Sequence, residues 1–168
     1  PMAENPVMGV NPDGPVGLFR EPDGRYVAYH RPCWGDRRIA RSDSWDFMHW
    51  GEPRVVLEPE PGDGTNVQFY GLGATAYGPF VLGTLWVYRT DPDCLGWTKH
   101  MGRTGPELVY GRGGYCWHRA RLGEAWIPNA DTPGSPGYGL IQPVSSPLLL
   151  EDEIRFYFTR SRERHGED

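Results

Sequence analysis

Carboxylate, amide, arginine, histidine and tryptophan side chains recur in the loops and strand starts that the chain's turn pattern predicts. Asp36, Asp91 and Asp93 are the candidates for acid or base chemistry. Polar and aromatic candidates for ligand binding are His30, Arg31, Trp34, Asn66, Gln68, Arg89, His100, Gln142, Arg160 and His165. Amide, guanidinium and carboxylate groups hydrogen-bond hydroxyls, and an indole stacks against the apolar face of a sugar. The mixture suits a carbohydrate, although a solvated loop side chain is the simpler interpretation of each residue taken alone.

Several other chemistries lack their sequence signatures. The chain has no Walker A phosphate loop, no HExxH zinc motif and no GxSxG serine elbow. Residues 71–76 match GxGxxA, but Gly78 and Pro79 follow and leave no room for a pyrophosphate-binding helix. Cys33, Cys94 and Cys116 show no CxxC spacing and are odd in number, which predicts buried or incidental thiols. We therefore expect no cofactor and no metal.

Composition restricts the fold class to mostly β structure. The 168 residues include 23 Gly and 17 Pro, which leave few uninterrupted windows for long helices. A hydrophobic fraction of 38% and an aromatic fraction of 13% exceed what disordered chains contain. The net charge of −5 argues against nucleic acid and anionic membranes as partners. No stretch reaches the roughly 20 apolar residues that span a bilayer, and the compartment stays open.

One hairpin pattern occurs three times along the chain. Its paired segments are 16–19 with 25–29, 67–76 with 80–88, and 140–150 with 153–159. A strand, a polar turn and a tryptophan follow the first two hairpins, ending at Trp50 and Trp117. A further extended piece comes after each tryptophan, at 54–57 and at 125–127. The repeating unit is thus predicted to contain four antiparallel strands.

Four short antiparallel strands per repeat are typical of a β-propeller blade. We assign residues 1–65 to a first blade, 66–136 to a second and 137–168 to the start of a third. About two and a half blades are too few to close a ring, since propellers generally need four or more. Exposed blade edges would then favour self-association, whereas a standalone β-sandwich, the alternative, would be a stable monomer.

Propeller topology predicts which loops share one face. The innermost strand of a blade starts at this face, and the loop after the second strand hangs over it. The first loop then contributes His30 to Asp36, the second contributes Arg89 to His100, and the third contributes Arg160 to His165. Trp50 and Trp117 are predicted to anchor neighbouring blades. Asp43 is predicted to hydrogen-bond the backbone of its own turn.

The sequence resembles five-bladed β-propeller proteins similar to glycoside hydrolase families 32 and 43. The resemblance covers nearly the whole chain and rests on residues 26–29 (YVAY), 39–43 (IARSD) with Trp50, 68–71 (QFYG), and 152–157 (DEIRFY) with His165 and Gly166. It implies five blades and a sugar pocket at one end of the central channel. Three carboxylates would serve that pocket: a base or nucleophile, a pKa-tuning aspartate and a general acid.

This chain departs from the family pattern at the innermost strands. Asn66, Gln68 and Gln142 stand where the family would be expected to carry Asp or Glu. Glycosidic cleavage needs one protonated carboxylic acid and one carboxylate, and the general acid is hard to find here. The resemblance therefore leaves two functional hypotheses: a glycoside-hydrolase-like propeller that acts on or binds a carbohydrate, and a non-catalytic propeller scaffold for sugar binding or protein interaction.

Overall fold

The computed structural model describes residues 7–8, 17–33, 37–91, 101–143 and 146–167, and their regular structure is almost entirely β-strand. The strands are β1 (Gly17–Arg20), β2 (Tyr26–His30), β3 (Ile39–Ser44), β4 (Arg54–Leu57), β5 (Val67–Tyr77), β6 (Phe80–Thr90), β7 (Gly102–Arg112), β8 (Cys116–Arg119), β9 (Ile141–Pro143), β10 (Leu148–Leu149), β11 (Ile154–Arg155) and β12 (Phe158–Arg160). One turn of 3-10 helix, Pro61–Asp63, is the only helix in these ranges. None of the described residues forms a helix long and apolar enough to cross a bilayer.

Two four-stranded antiparallel sheets make up most of the structure. One has the strand order β1-β2-β3-β4 and the other β5-β6-β7-β8, so each is a simple meander. The first two predicted hairpins pair in register, with Gly17 opposite Tyr29 and Tyr77 opposite Phe80. The prediction of four-stranded antiparallel units is confirmed.

The third hairpin is more fragmented than the sequence predicts. Strand β9 pairs with β12, and β10 pairs with β11, in two separate two-stranded pieces. Pro143 ends β9, and Pro147 stands directly before β10. Proline donates no backbone hydrogen bond, so a continuous ladder is interrupted at these positions. The third unit is accordingly a partial blade.

The fourth strand of the second sheet was predicted at 125–127, and this prediction is wrong. Strand β8 comes directly after β7 because Gly113 and Gly114 adopt positive φ angles of 64° and 67° and turn the chain back at once. At Gly114 a Cβ atom would lie 2.1 Å from the Tyr29 hydroxyl oxygen, so only glycine fits. Trp117 therefore lies within β8, where its ring meets that of Tyr29 edge-on at 5.4 Å. This contact confirms Trp117 as an anchor between the two sheets.

The turn after β3 also differs from the prediction. Asp46, not Asp43, closes it, accepting hydrogen bonds from the backbone of Met48 and His49 at 2.9 and 2.8 Å. Asp43 lies two residues after Arg41 on the same face of β3 and accepts a 2.7 Å hydrogen bond from the Arg41 Nε instead. Trp50 packs edge-on against Phe47 of this same turn, so its ring contact lies within its own unit.

The apolar core fills the space between the two sheets. Its members from the first sheet are Val27, Tyr29, Ile39 and Leu57, and those from the second are Val67, Phe69, Leu72, Ala74, Val81, Leu85, Val87 and Val109. Burying an aliphatic side chain of this size contributes about 1.5–3 kcal/mol relative to exposure. The third unit joins the second sheet through bridges from Gly102 to His165 and from Thr104 to Leu140.

Apolar side chains on the partial third blade are solvent-exposed. Leu148, Leu149, Leu150, Tyr157 and Phe158 all belong to this group. Exposed apolar surface next to short strand edges is a known route to association. Self-association through these edges stays a prediction.

A buried ion network ties the segment before β5 to the second sheet. Arg119 donates to Glu107 at 2.7 Å and to Asp63 at 2.5 Å, and all three side chains are 1–2% exposed. Arg89 donates to the other oxygen of Glu107 at 2.8 Å. Burial would raise the pKa of Asp63, but the hydrogen bonds from Arg119 and from the Glu60 backbone outweigh it and lower the pKa. The network holds the Asp63 carboxylate in its charged form inside the protein.

Replacing Arg119 by Ala is expected to destabilise the fold by about 3–5 kcal/mol, because it leaves two buried carboxylates without their shared partner. Urea unfolding followed by tryptophan fluorescence measures the change. Arg121→Ala is the matched control, since Arg121 pairs with Glu124 in solvent, at 76% and 65% exposure. Equal midpoints for the two variants would show that the network contributes nothing specific.

Candidate functional site

Side chains from four separate segments converge beside the start of β5. They come from the loop after β2, from β5 itself, from the end of β6 and from the segment after β12. We call this group the Tyr70 cluster, and it consists of Arg31, Arg37, Gln68, Tyr70, Trp86, Tyr88 and His165. Arg31, Gln68 and His165 in this cluster are among the residues that the sequence predicts for ligand binding.

A β-bulge sets the orientation of Tyr70. Phe69 pairs with Val87 and Gly71 pairs with Trp86, so Tyr70 is the extra residue on β5. Bulges re-aim side chains and are enriched next to binding sites. The Tyr70 ring stacks on Trp86 with centroids 6.4 Å apart, and it meets Tyr88 edge-on at 5.9 Å. A half-buried aromatic surface results.

His165 joins this surface from a distant part of the chain. Its backbone N–H donates to the Gly102 carbonyl at 2.9 Å. Its Nε2 lies 3.3 Å from the Tyr70 hydroxyl and its Nδ1 lies 3.5 Å from the Tyr88 hydroxyl. In the neutral imidazole one nitrogen donates and the other accepts, so the two hydroxyls take opposite roles. One imidazole thus links the two tyrosine hydroxyls.

Two arginines lie against the same aromatic rings. The Arg31 guanidinium is 4.8 Å from the centroid of Tyr70. The Arg37 guanidinium is 5.4 Å from Tyr70 and 5.3 Å from Tyr88, and its Nη1 donates to the Gln68 Oε1 at 2.7 Å. Cation–π contacts of this kind hold the guanidinium groups in place. The cluster therefore combines aromatic faces, hydroxyls, an amide and positive charge.

Of the three candidate catalytic aspartates, the described residues include Asp91. Its Oδ2 accepts a hydrogen bond from Arg164 Nη1 at 2.5 Å. Arg164 also bonds Glu167, whose carboxylate raises the arginine's pKa, with Asp91 adding to the effect. Asp91 is thus a carboxylate already engaged as an acceptor.

Several predicted ligand-binding residues have other partners. Asn66 donates to the Thr90 carbonyl at 3.0 Å, which joins the start of β5 to the end of β6. Arg89 belongs to the buried ion network. His30 is 1% exposed and lies 3.1 Å from both the Arg31 carbonyl and the Ser42 hydroxyl. Burial lowers the pKa of His30, so its imidazole is neutral near pH 7.

Of the remaining predicted residues, two lie in the third unit and four lie outside the described residues. Gln142 lies in β9 opposite Thr159, and the Arg160 guanidinium of β12 lies 5.2 Å from the Phe158 ring. Trp34, Asp36, Asp93 and His100 lie outside the described residues. The structure thus brings Arg31, Gln68 and His165 together out of the predicted set.

Sequence analysis missed Arg37, Tyr70, Trp86 and Tyr88. A usable signal was present, because Gln68 and Tyr70 are two residues apart on one strand, as are Trp86 and Tyr88 on the next. Among the described residues, no group of three or more His, Cys, Asp or Glu is placed to hold a metal ion. What the described cluster can do is stack on a flat ring and hydrogen-bond hydroxyl or anionic groups.

Comparison with known proteins defines the fold. No protein-family model matches the chain, and no curated protein matches it. A β-1,2-mannobiose phosphorylase from Listeria innocua, solved with β-1,2-mannobiose, is similar with a TM-score of 0.59 and 17% identity over 92% of this chain and 43% of that one. A thermostable family-43 glycoside hydrolase is similar with a TM-score of 0.58 and 15% identity, over 92% of this chain and 43% of that one. A family-32 β-fructofuranosidase from Bombyx mori is similar with a TM-score of 0.56 and 15% identity, over 91% of this chain and 34% of that one.

These similarities confirm the all-β propeller fold and the resemblance to propeller enzymes of glycoside hydrolase families 32 and 43. The chain spans less than half the length of each of these solved structures. Its two complete sheets and partial third unit are therefore a partial propeller.

Replacing His165 by Ala is expected to loosen the segment that carries it. The variant loses two edge-on ring contacts, each contributing about 0.5–1.5 kcal/mol, so exchange of the residue 165 amide should accelerate by about tenfold. Hydrogen–deuterium exchange measures this directly. His49→Ala is the control, because His49 is 91% exposed. An unchanged exchange rate would show that the rings do not hold this segment.

Proposed function

We propose that this chain is part of a glycoside-hydrolase-like propeller and binds a carbohydrate at the Tyr70 cluster. The observation that carries the proposal is the convergence of Arg31, Gln68 and His165 with Tyr70, at the strand start where propeller topology predicts a ligand. Aromatic faces, amides and guanidinium groups are the usual partners of sugar rings and hydroxyls. Tyr70, Trp86 and His165 are half-buried, so a ligand has access to them.

The proposed activity is cleavage of a glycosidic bond, with Asp36, Asp91 and Asp93 as the candidate catalytic carboxylates. Such cleavage needs one acid that protonates the leaving oxygen and one carboxylate that attacks or activates water. The names of the three similar structures support this proposal, because they are a β-1,2-mannobiose phosphorylase, a family-43 glycoside hydrolase and a β-fructofuranosidase. Asp91, which accepts from Arg164, suits the role of the carboxylate better than that of the proton donor.

The second candidate function is a non-catalytic scaffold that binds a sugar or a protein. Amides favour it, because Gln68 and Gln142 stand at the inner strand starts where family enzymes would be expected to carry acids. The Gln68 amide is already bonded to Arg37 at 2.7 Å. In this second function the Tyr70 cluster still binds the ligand, but no glycosidic bond is cleaved.

Glycoside cleavage is tested with the protein expressed from its complete native gene. We expect turnover of at least one member of a panel of aryl glycosides and oligosaccharides, and binding at the Tyr70 cluster seen as quenching of tryptophan fluorescence, because Trp86 stacks on Tyr70. Binding lost in Tyr70→Ala would locate the ligand. Neither turnover nor binding across the panel would contradict the carbohydrate proposal as a whole.

Single Asp→Asn changes at Asp36, Asp91 and Asp93 separate the enzyme from the scaffold. An enzyme is expected to lose at least about a hundredfold in kcat when its acid or base becomes an amide. Asp23→Asn is the control, because Asp23 lies in the β1–β2 turn and accepts from the Arg25 backbone, a bond that Asn also makes. Full turnover in all three variants would eliminate these aspartates as catalytic residues.

A further inference from the structure

A neutral sugar bound at the Tyr70 cluster would provide no counter-charge for Arg37. Its guanidinium donates to the uncharged Gln68 amide and lies against the rings of Tyr70 and Tyr88. Its Nε is buried and has no hydrogen-bond partner among the described residues. No described carboxylate forms an ion pair with it.

Two other shielded arginines, Arg41 and Arg119, are paired with carboxylates. Arg41 bonds Glu21 and Asp43, and Arg119 bonds Glu107 and Asp63. This pairing follows from physical chemistry, because a charge withdrawn from water is costly without a counter-charge. Arg37 is half-buried, and among the described residues it obtains only ring and amide contacts.

Two acidic groups near His165 are already engaged by the adjacent residue Arg164. Asp91 and Glu167 both accept hydrogen bonds from Arg164, at 2.5 and 3.1 Å. Ring contacts give a cation about 0.5–2 kcal/mol, and hydrogen bonds to an ionised acceptor are roughly twice as strong as neutral ones. An oxyanion beside Arg37 would therefore gain more than a hydroxyl in the same place.

We infer that the ligand of the Tyr70 cluster carries an oxyanion that pairs with Arg37. This inference rests on the proposed function and narrows the ligand to an acidic carbohydrate, with the carboxylate of a uronic acid as the first source of the charge. Free inorganic phosphate bound beside a neutral sugar supplies the same chemistry and is the second source. The aromatic faces of Tyr70 and Trp86 hold the sugar ring in either case.

Calorimetric titration at low salt tests the inference with matched ligands. Glucuronate, galacturonate and mannuronate are each compared with glucose, galactose and mannose, and inorganic phosphate is titrated alone and with each neutral sugar. We expect at least one acidic sugar to bind about tenfold more tightly than its neutral counterpart, with an advantage that shrinks as salt rises. Phosphate binding without any uronate preference assigns the charge to free phosphate.

Arg37→Gln is expected to remove the preference for the charged ligand, so that acidic and neutral sugars bind this variant with affinities within about threefold of each other. Arg37→Lys retains the charge without the planar fork and is expected to keep part of the preference. Arg38→Gln is the matched control, because the neighbouring Arg38 pairs with the exposed Glu58. Melting curves establish that each variant is folded.

The outcomes separate this inference from the proposed function. Equal binding of charged and neutral sugars, or a charge preference that survives in Arg37→Gln, overturns the inference and leaves carbohydrate binding standing. Phosphate binding that depends on Arg37, with no sugar bound, supports the oxyanion and contradicts the carbohydrate. Absence of binding for every ligand contradicts both.

Discussion

A β-sheet must bury its apolar face against another element, and this constraint governs the arrangement of the chain. The first sheet covers one face with the second, through a core in which Tyr29, Phe69 and Leu85 are fully buried. Tyr29 is central, because its hydroxyl donates to the Gly114 carbonyl at 2.9 Å while its ring meets Trp117. One side chain thus fixes the distance between the sheets and the position of the β7–β8 turn. The orientation of β5, and with it the Tyr70 cluster, follows from this packing.

Charge inside the protein is organised in two different ways. Around the second sheet, buried arginines and carboxylates neutralise each other, as Arg119 does with Glu107 and Asp63. At the start of β5, arginine charge is set against aromatic rings and an amide. The first arrangement pairs each charge with an opposite charge inside the protein and serves stability. The second leaves the Nε of Arg37 without a hydrogen-bond partner among the described residues, which is why we propose this cluster as a recognition surface.

Local sequence patterns predicted most of the fold and only part of the site. Turn residues and alternating apolar side chains identified the hairpins, and topology then placed Gln68 and His165 on one face. The position of β8 was missed because the Gly113 and Gly114 turn makes the chain reverse earlier than the spacing of apolar segments suggested. Tyr70 was missed because a bulge redirects its ring, and a bulge depends on pairing with β6. Such features arise from contacts between strands and leave little trace within a single segment.

The backbone bridge from Gly102 to His165 affects how the site forms as well as where it lies. Tyr70 and His165 are 95 residues apart in the chain, so the cluster closes one of the longest loops in the described structure. Closing a long loop costs entropy before any contact rewards it, so we expect this cluster to form after the local hairpins. A ligand that contacts His165 and Tyr70 together would hold the third unit against the second sheet. Its binding free energy would then stabilise the folded chain.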